Sequence, residues 1–203
     1  MSSRWLTDLI EGVVAIYREA DKEVALFQLA TGLRCPPLCD VCCNNSNVEA
    51  SLVEALPLAE EILRGGEEAQ VLEAIEKKSE RGSSLCLFHK EYSQDAKGFC
   101  QHYAVRPLLC RMFGYAGRIG KSGSPEFSPC GTIKTVFKDN AAKASEDVSR
   151  GLSVPCYNDF LMRIALLSPA LGFKMLPINT AFKEAIEYLA WRKPPKQKTK
   201  KAA

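Results

Sequence analysis

Apolar residues recur at helical spacing from the start of the chain. Leu6, Leu9, Ile10, Val13, Tyr17, Val24 and Phe27 fall on one stripe, because residues three and four apart share a helix face. Ser2 or Ser3 stands where an N-cap belongs, and Gly32 where a C-cap does. The pattern predicts one long amphipathic helix over residues 4–31, weakened locally by Gly12. Leu52, Ala55, Leu56, Leu58, Ile62 and Leu63 predict a second helix. Val71, Leu72, Ile75 and Lys78 predict a third, with Gly65-Gly66 as the break between them.

The pattern then changes. Leu85-Cys86-Leu87-Phe88 and Gly98-Phe99-Cys100-Gln101-His102-Tyr103 are short and aromatic with polar residues between, as in a small hairpin or irregular ribbon. Arg106-Pro107-Leu108-Leu109-Cys110-Arg111 opens like a helix with proline at its first position. Residues 114–130 are rich in Gly and Ser and read as a loop, and a charged helix is expected over 136–150. Pro155 opens another, with Tyr157, Phe160, Leu161, Ile164 and Leu167 on one side. A last helix runs from Ala181 to Trp191, capped by Asn179 or Thr180. The fold class expected is mainly α: one helical domain over 1–191 around a cysteine-rich centre at 33–131, with at most a small β-hairpin. Gly114, Gly117, Gly120 and Gly123 do not make a dinucleotide-binding pattern, and no phosphate loop stands out.

Charge and cysteine content alter this picture. The 203 residues carry a formal net charge of +3. Six basic residues and no acid lie from Arg192 onward, so the remainder is about −3. The stretch 192–203 is expected to be a solvated, disordered tail, and nucleic acid is not expected as a partner. No apolar run is long enough to span a bilayer. Asp8 and Glu11 interrupt the N-terminal apolar pattern, unlike a signal peptide. A cytoplasmic location is therefore expected, where disulfides rarely persist. The chain nevertheless holds nine cysteines, an odd number that also suits a complete disulfide framework poorly.

Four of the nine lie in Cys35-Pro-Pro-Leu-Cys39-Asp-Val-Cys42-Cys43. Cys35 and Pro36 each precede a proline, which biases both to extended backbone. Pro37 can then open a helical turn that places Cys39, Cys42 and Cys43 on one face. Adjacent Cys42 and Cys43 diverge by about 100° on such a turn, so they need not bind one ion. The plain alternative is a set of buried thiols acting as small hydrophobes. The remaining cysteines are Cys86, Cys100, Cys110, Cys130 and Cys156. Their wide gaps are not the paired knuckles of a zinc finger, but they suit a site closed by tertiary structure. Cys156 lies in an apolar run and reads equally well as a core thiol.

This chain resembles the YkgJ-type cysteine-cluster family, described as zinc- or iron-chelating domains. The family's opening C-x-x-x-C-x-x-C-C-like cluster is matched by Cys35, Cys39, Cys42 and Cys43, and a cysteine before an aromatic segment by Cys86. Its C-x-x-Y-x-x-R-P-x-x-C-R run is matched in full by Cys100, Tyr103, Arg106, Pro107, Cys110 and Arg111. Cys130 stands as the further downstream cysteine, so the resemblance covers residues 33–131. It implies metal ions as partners, held as zinc or as an iron–sulfur cluster by Cys35, Cys39, Cys42, Cys43, Cys86, Cys100, Cys110 and Cys130. Flagellin lysine methylases carry a similar cluster, which implies that some members are iron–sulfur enzymes.

Thiolates select zinc or iron–sulfur clusters over hard cations. Four of them on one Zn²⁺ leave a net negative charge, which Arg34, Arg106 or Arg111 would offset, and Arg106 and Arg111 are the candidate cofactor-binding cations. His89 and His102, close after cysteines, are candidates to complete a three-cysteine zinc site. Spacing alone leaves zinc and iron open. It also leaves open a metal-binding protein, an iron–sulfur enzyme in methyl transfer or redox chemistry, and, least favoured, a disulfide-braced exported protein.

Overall fold

The computed structural model describes residues 3–37, 39–91, 98–121 and 123–192. Helix α1 (Ser3–Thr31) follows the apolar stripe, burying Leu6, Leu9, Ile10, Val13, Tyr17, Val24 and Phe27, together with Ile16 and Ala20. Gly12, a weak point by propensity, has a packing use. A Cβ there would lie 3.2 Å from Leu167 Cδ1, so its absence lets a later helix approach α1 closely.

Helices α2 (Leu52–Gly65) and α3 (Glu68–Glu80) sit where their patterns placed them, with Gly66 in the left-handed conformation between them. The last helix, α9 (Ile178–Arg192), packs along α2. Both bury alanines (Ala55 and Ala59; Ala181 and Ala185) beside larger residues such as Leu56, Ile62, Phe182 and Ile186. Between lie α4 (Leu108–Met112), α5 (Gly131–Val136), α6 (Lys138–Ser149), α7 (Tyr157–Leu167) and α8 (Pro169–Gly172). The fold is mainly α, and its buried apolar residues form one contiguous core.

The strands are short and antiparallel. Strand β1 (Glu49–Ser51) pairs with β6 (Met175–Pro177), with Ala50 opposite Leu176. Strand β2 (His89–Glu91) pairs with β3 (Gly98–Cys100), placing His89 opposite Cys100. This is the expected aromatic hairpin, with its first strand starting just after the run 85–88. A third pair, β4 (Gly117–Ile119) and β5 (Pro125–Phe127), lies inside the segment read as loop. Three-residue strands with Pro125 at an end carry no alternation long enough to show in sequence.

Helix α9 begins earlier than its pattern suggested, and Asn179 does not cap it. Asn179 Oδ1 accepts from the Leu87 amide at 2.9 Å, and its Nδ2 donates to the Leu85 carbonyl at 2.8 Å. The side chain thus clips the segment around Cys86 to α9. The basic tail beyond Arg192 lies outside the described residues.

One polar node joins the first half of the chain. Ser51 Oγ accepts from the Glu54 amide at 3.2 Å, while Glu54 Oε2 accepts from the Ser51 amide at 2.8 Å, a reciprocal capping box. Glu54 Oε1 also accepts from the Leu108 amide at 3.3 Å. The Tyr17 hydroxyl donates to the Glu54 carbonyl at 2.7 Å. Residue Glu54 therefore ties α1, α2 and the start of α4 together, fully buried. Burial pushes its carboxyl pKa up, against the pull of the Ser51 and Leu108 hydrogen bonds. Glu54→Ala, which orphans the Ser51 and Leu108 amides, is expected to destabilise the fold by about 3 kcal/mol in denaturant titration. Glu54→Gln, which keeps one acceptor, is expected to lose clearly less; equal losses would contradict the acceptor role.

Candidate metal centre

The four-cysteine stretch leaves α1 through Gly32, which has φ +71°. It does not form the helical turn expected after Pro37. Instead it runs in short turns: the Cys39 amide donates to Pro36 O at 3.2 Å, and the Cys43 and Asn44 amides both donate to Asp40 O at 2.7 and 3.0 Å. The reason is local. Two prolines hold the entry extended, and the segment lacks an apolar face long enough to repay helix nucleation.

These turns nonetheless bring the thiols to one place. Cys35, Cys39, Cys42, Cys43, Cys86, Cys100 and Cys110 line a single cavity of about 260 Å³. Each comes on its own support. Cys86 is carried by the segment that Asn179 clips. Cys100 ends β3, whose pairing requires Gly98: a Cβ there would collide with the His89 ring and reach within 2.7 Å of the Lys90 carbonyl. Cys110 rides on α4, whose first amide bonds Glu54. Phe88, Phe182, Ile178 and Leu58 supply apolar wall between the sulfurs.

Cys130 is not part of that lining. It caps α5, its Sγ accepting from the Ile133 amide at 3.5 Å. Cys156 precedes α7 without a side-chain capping bond and meets Gly117 in an isolated backbone bridge, also apart from the cavity lining.

The thiols differ in charge. Hydrogen bonds with Cys43 draw Cys42 down to about 7 and Cys100 down to about 6, and Arg106 adds to both effects. Cys43 is pushed strongly upward by the same two hydrogen bonds and by burial, so it keeps its proton. Burial raises Cys86 to about 11 and holds Cys110 well above the usual thiol range.

The two arginines divide their duties. Arg106 lines the cavity and stacks over the Tyr103 ring at 3.6 Å, with Nη1 donating to Tyr103 O at 2.7 Å and Nε to Cys110 O at 3.4 Å. Arg111 lies behind it. Its Nε donates to Arg106 O at 2.8 Å, one Nη to Asp21 at 2.5 Å and the other to Ala104 O. Arg111 thus braces the backbone that carries Arg106 and Cys110.

Neither histidine lines the cavity. His89 Nε2 bonds Asp40 Oδ2 at 2.8 Å, and Asn44 Nδ2 donates to the same oxygen at 2.8 Å. Asp40 is buried. The pair staples the cysteine turns to the β2–β3 hairpin. His102 Nδ1 bonds Glu61 Oε1 at 2.8 Å and sets its ring edge-on to Phe88. The Asp40–His89 link joins residues 49 apart in sequence, and no local signal marks it.

Among the described residues, no group of three or more His, Cys, Asp or Glu side chains forms a ready-made ion site. Seven sulfurs line the walls of one cavity, with Cys43 hydrogen-bonded to Cys42 and Cys100. No family model matches the chain, and no curated protein or solved structure matches it. No helix among the described residues is long and apolar enough to cross a membrane.

The thiol charges set an order of reactivity, since the thiolate is the nucleophile. In metal-free protein at neutral pH, iodoacetamide is expected to label Cys100 and Cys42 before Cys86 and Cys110, read by peptide mass spectrometry. Lowering the pH should suppress Cys100 labelling with a midpoint near 6. Equal rates at all four positions would contradict the hydrogen-bonded set.

Proposed function

We propose that the thiol-lined cavity binds an iron–sulfur cluster and that this is the protein's central function. The observation that carries the reading is the cavity itself: seven cysteines from four separate segments around about 260 Å³. The donor set is soft, which suits zinc or iron–sulfur chemistry. The breadth of the cavity favours a cluster. Four thiolates on one zinc, each at about 2.3 Å, stand only about 3.8 Å apart. A cluster places several irons and sulfides between its cysteine ligands, so its ligands come from the walls of a wider space.

Cys39, Cys42, Cys43, Cys86, Cys100 and Cys110 are the less exposed candidate ligands, with Cys35 at the surface. Such a group, when bound, supplies one-electron chemistry. The chain's own residues hold the thiolates, exclude water with Phe88 and Phe182, and offset negative charge with Arg106. A second reading is an iron–sulfur enzyme of methyl transfer or redox chemistry. It draws support from another cavity of about 450 Å³, which shares Cys35, Tyr103 and Arg106 with the first.

Isolation without oxygen, followed by visible spectroscopy and metal and sulfide analysis, tests the proposal. The expected protein is brown and contains both iron and sulfide. Alanine at Cys42, Cys86, Cys100 or Cys110 is expected to remove most of the iron, and Cys156→Ala to leave it. Colourless protein with stoichiometric zinc, or with no metal, would overturn the cluster.

A further inference from the structure

Cys35 differs from the other six thiols that line the main cavity: it is the exposed one. Its sulfur accepts a hydrogen bond from the Tyr115 hydroxyl at 3.2 Å. Tyr115 is buried to 3% exposure. A tyrosine hydroxyl has one proton to give. Here its oxygen is already hydrogen-bonded to the Gln28 side chain, which leaves that proton directed at sulfur.

The backbone is shaped for this placement. Gly114 has φ +86°, and a Cβ there would lie 3.0 Å from Cys130 Sγ. Only glycine lets the chain turn past Cys130 and deliver Tyr115 to Cys35 without displacing either. Gln28 comes from the last turns of α1, immediately before the cysteine stretch. The row Gln28–Tyr115–Cys35 forms one side of the 450 Å³ cavity, and Asp21, Arg106 and Arg111 line it as well. Those arginines are committed to backbone carbonyls and Asp21, so this cavity is not built to clamp an anion. It opens onto Cys35.

We propose that Tyr115, oriented by Gln28, is a positioning residue that holds Cys35 as the surface-side ligand of the bound cluster. The proposal rests on the cluster reading above. A hydrogen bond to a ligand sulfur favours the reduced, more negative cluster and so raises its potential.

The test compares wild type with Tyr115→Phe and Gln28→Leu, using Cys156→Ser as control. In reconstituted protein, Tyr115→Phe is expected to shift the reduction potential to more negative values. Gln28→Leu should give a smaller shift in the same direction, and the control none. In metal-free protein, iodoacetamide labelling of Cys35 should slow several-fold in Tyr115→Phe while labelling of Cys100 does not change. A potential and a Cys35 labelling rate both unchanged in Tyr115→Phe and Gln28→Leu would overturn the positioning role. Wild-type protein that takes up no iron and sulfide would overturn the cluster reading instead, and the Tyr115–Cys35 contact would then stand or fall on the labelling of Cys35. Should Tyr115→Phe fail to fold, Gln28→Leu carries both measurements alone.

Discussion

The Glu54 carboxylate is the joint on which the rest of the arrangement depends. A buried carboxylate is tolerable only when hydrogen bonds satisfy it, and here its donors come from two segments. Ser51 is local and Leu108 is 54 residues away. The second bond fixes the start of α4 against α2, and α4 carries Cys110. Tyr17 adds α1 to the same point and also lies beneath the Arg111 guanidinium at 4.2 Å. Arg111 in turn braces the chain around Arg106. A helical frame with an apolar core is thereby coupled to a segment that has little core of its own.

The same logic explains how loops hold a multi-thiol site. Backbone in turns needs partners, and around the cavity side chains from regular elements supply several of them. Asn179 on α9 serves the Cys86 segment. The Asp40–His89 pair ties the cysteine turns to β2. Arg106 reaches the Cys110 carbonyl while remaining close to the thiols. A cluster of like-charged thiolates would repel itself, and the distribution of protons reduces that cost. Cys43 keeps its proton between Cys42 and Cys100, and Cys86 and Cys110 stay protonated by burial. A metal taken up at these thiols would have to displace protons, so its binding would tighten at higher pH.

Much of the frame was legible in the sequence. The long stripe from Leu6 to Phe27 could bury its face only as a helix, and the Gly65-Gly66 break separated α2 from α3 as read. Seven of the eight cysteines singled out by the resemblance line one cavity. The misses share a physical cause. The helical turn expected at Cys39–Cys43 assumed periodicity in a segment whose prolines and polar residues favour turns. The β4–β5 pair is too short to show alternation. Asn179 looked like a cap because asparagine commonly caps helices, yet its partners lie 92 and 94 residues away. Asp40, His89 and Tyr115 gain their roles from tertiary contacts that leave no trace in local pattern.

The central claim is that sulfur from these cysteines surrounds a multi-iron group. X-ray absorption at the iron edge, on protein isolated without oxygen, tests it most directly. The account predicts a first shell of sulfur and a second shell of iron neighbours. A first shell of oxygen and nitrogen with no iron neighbour, or no iron bound to the protein, would contradict it.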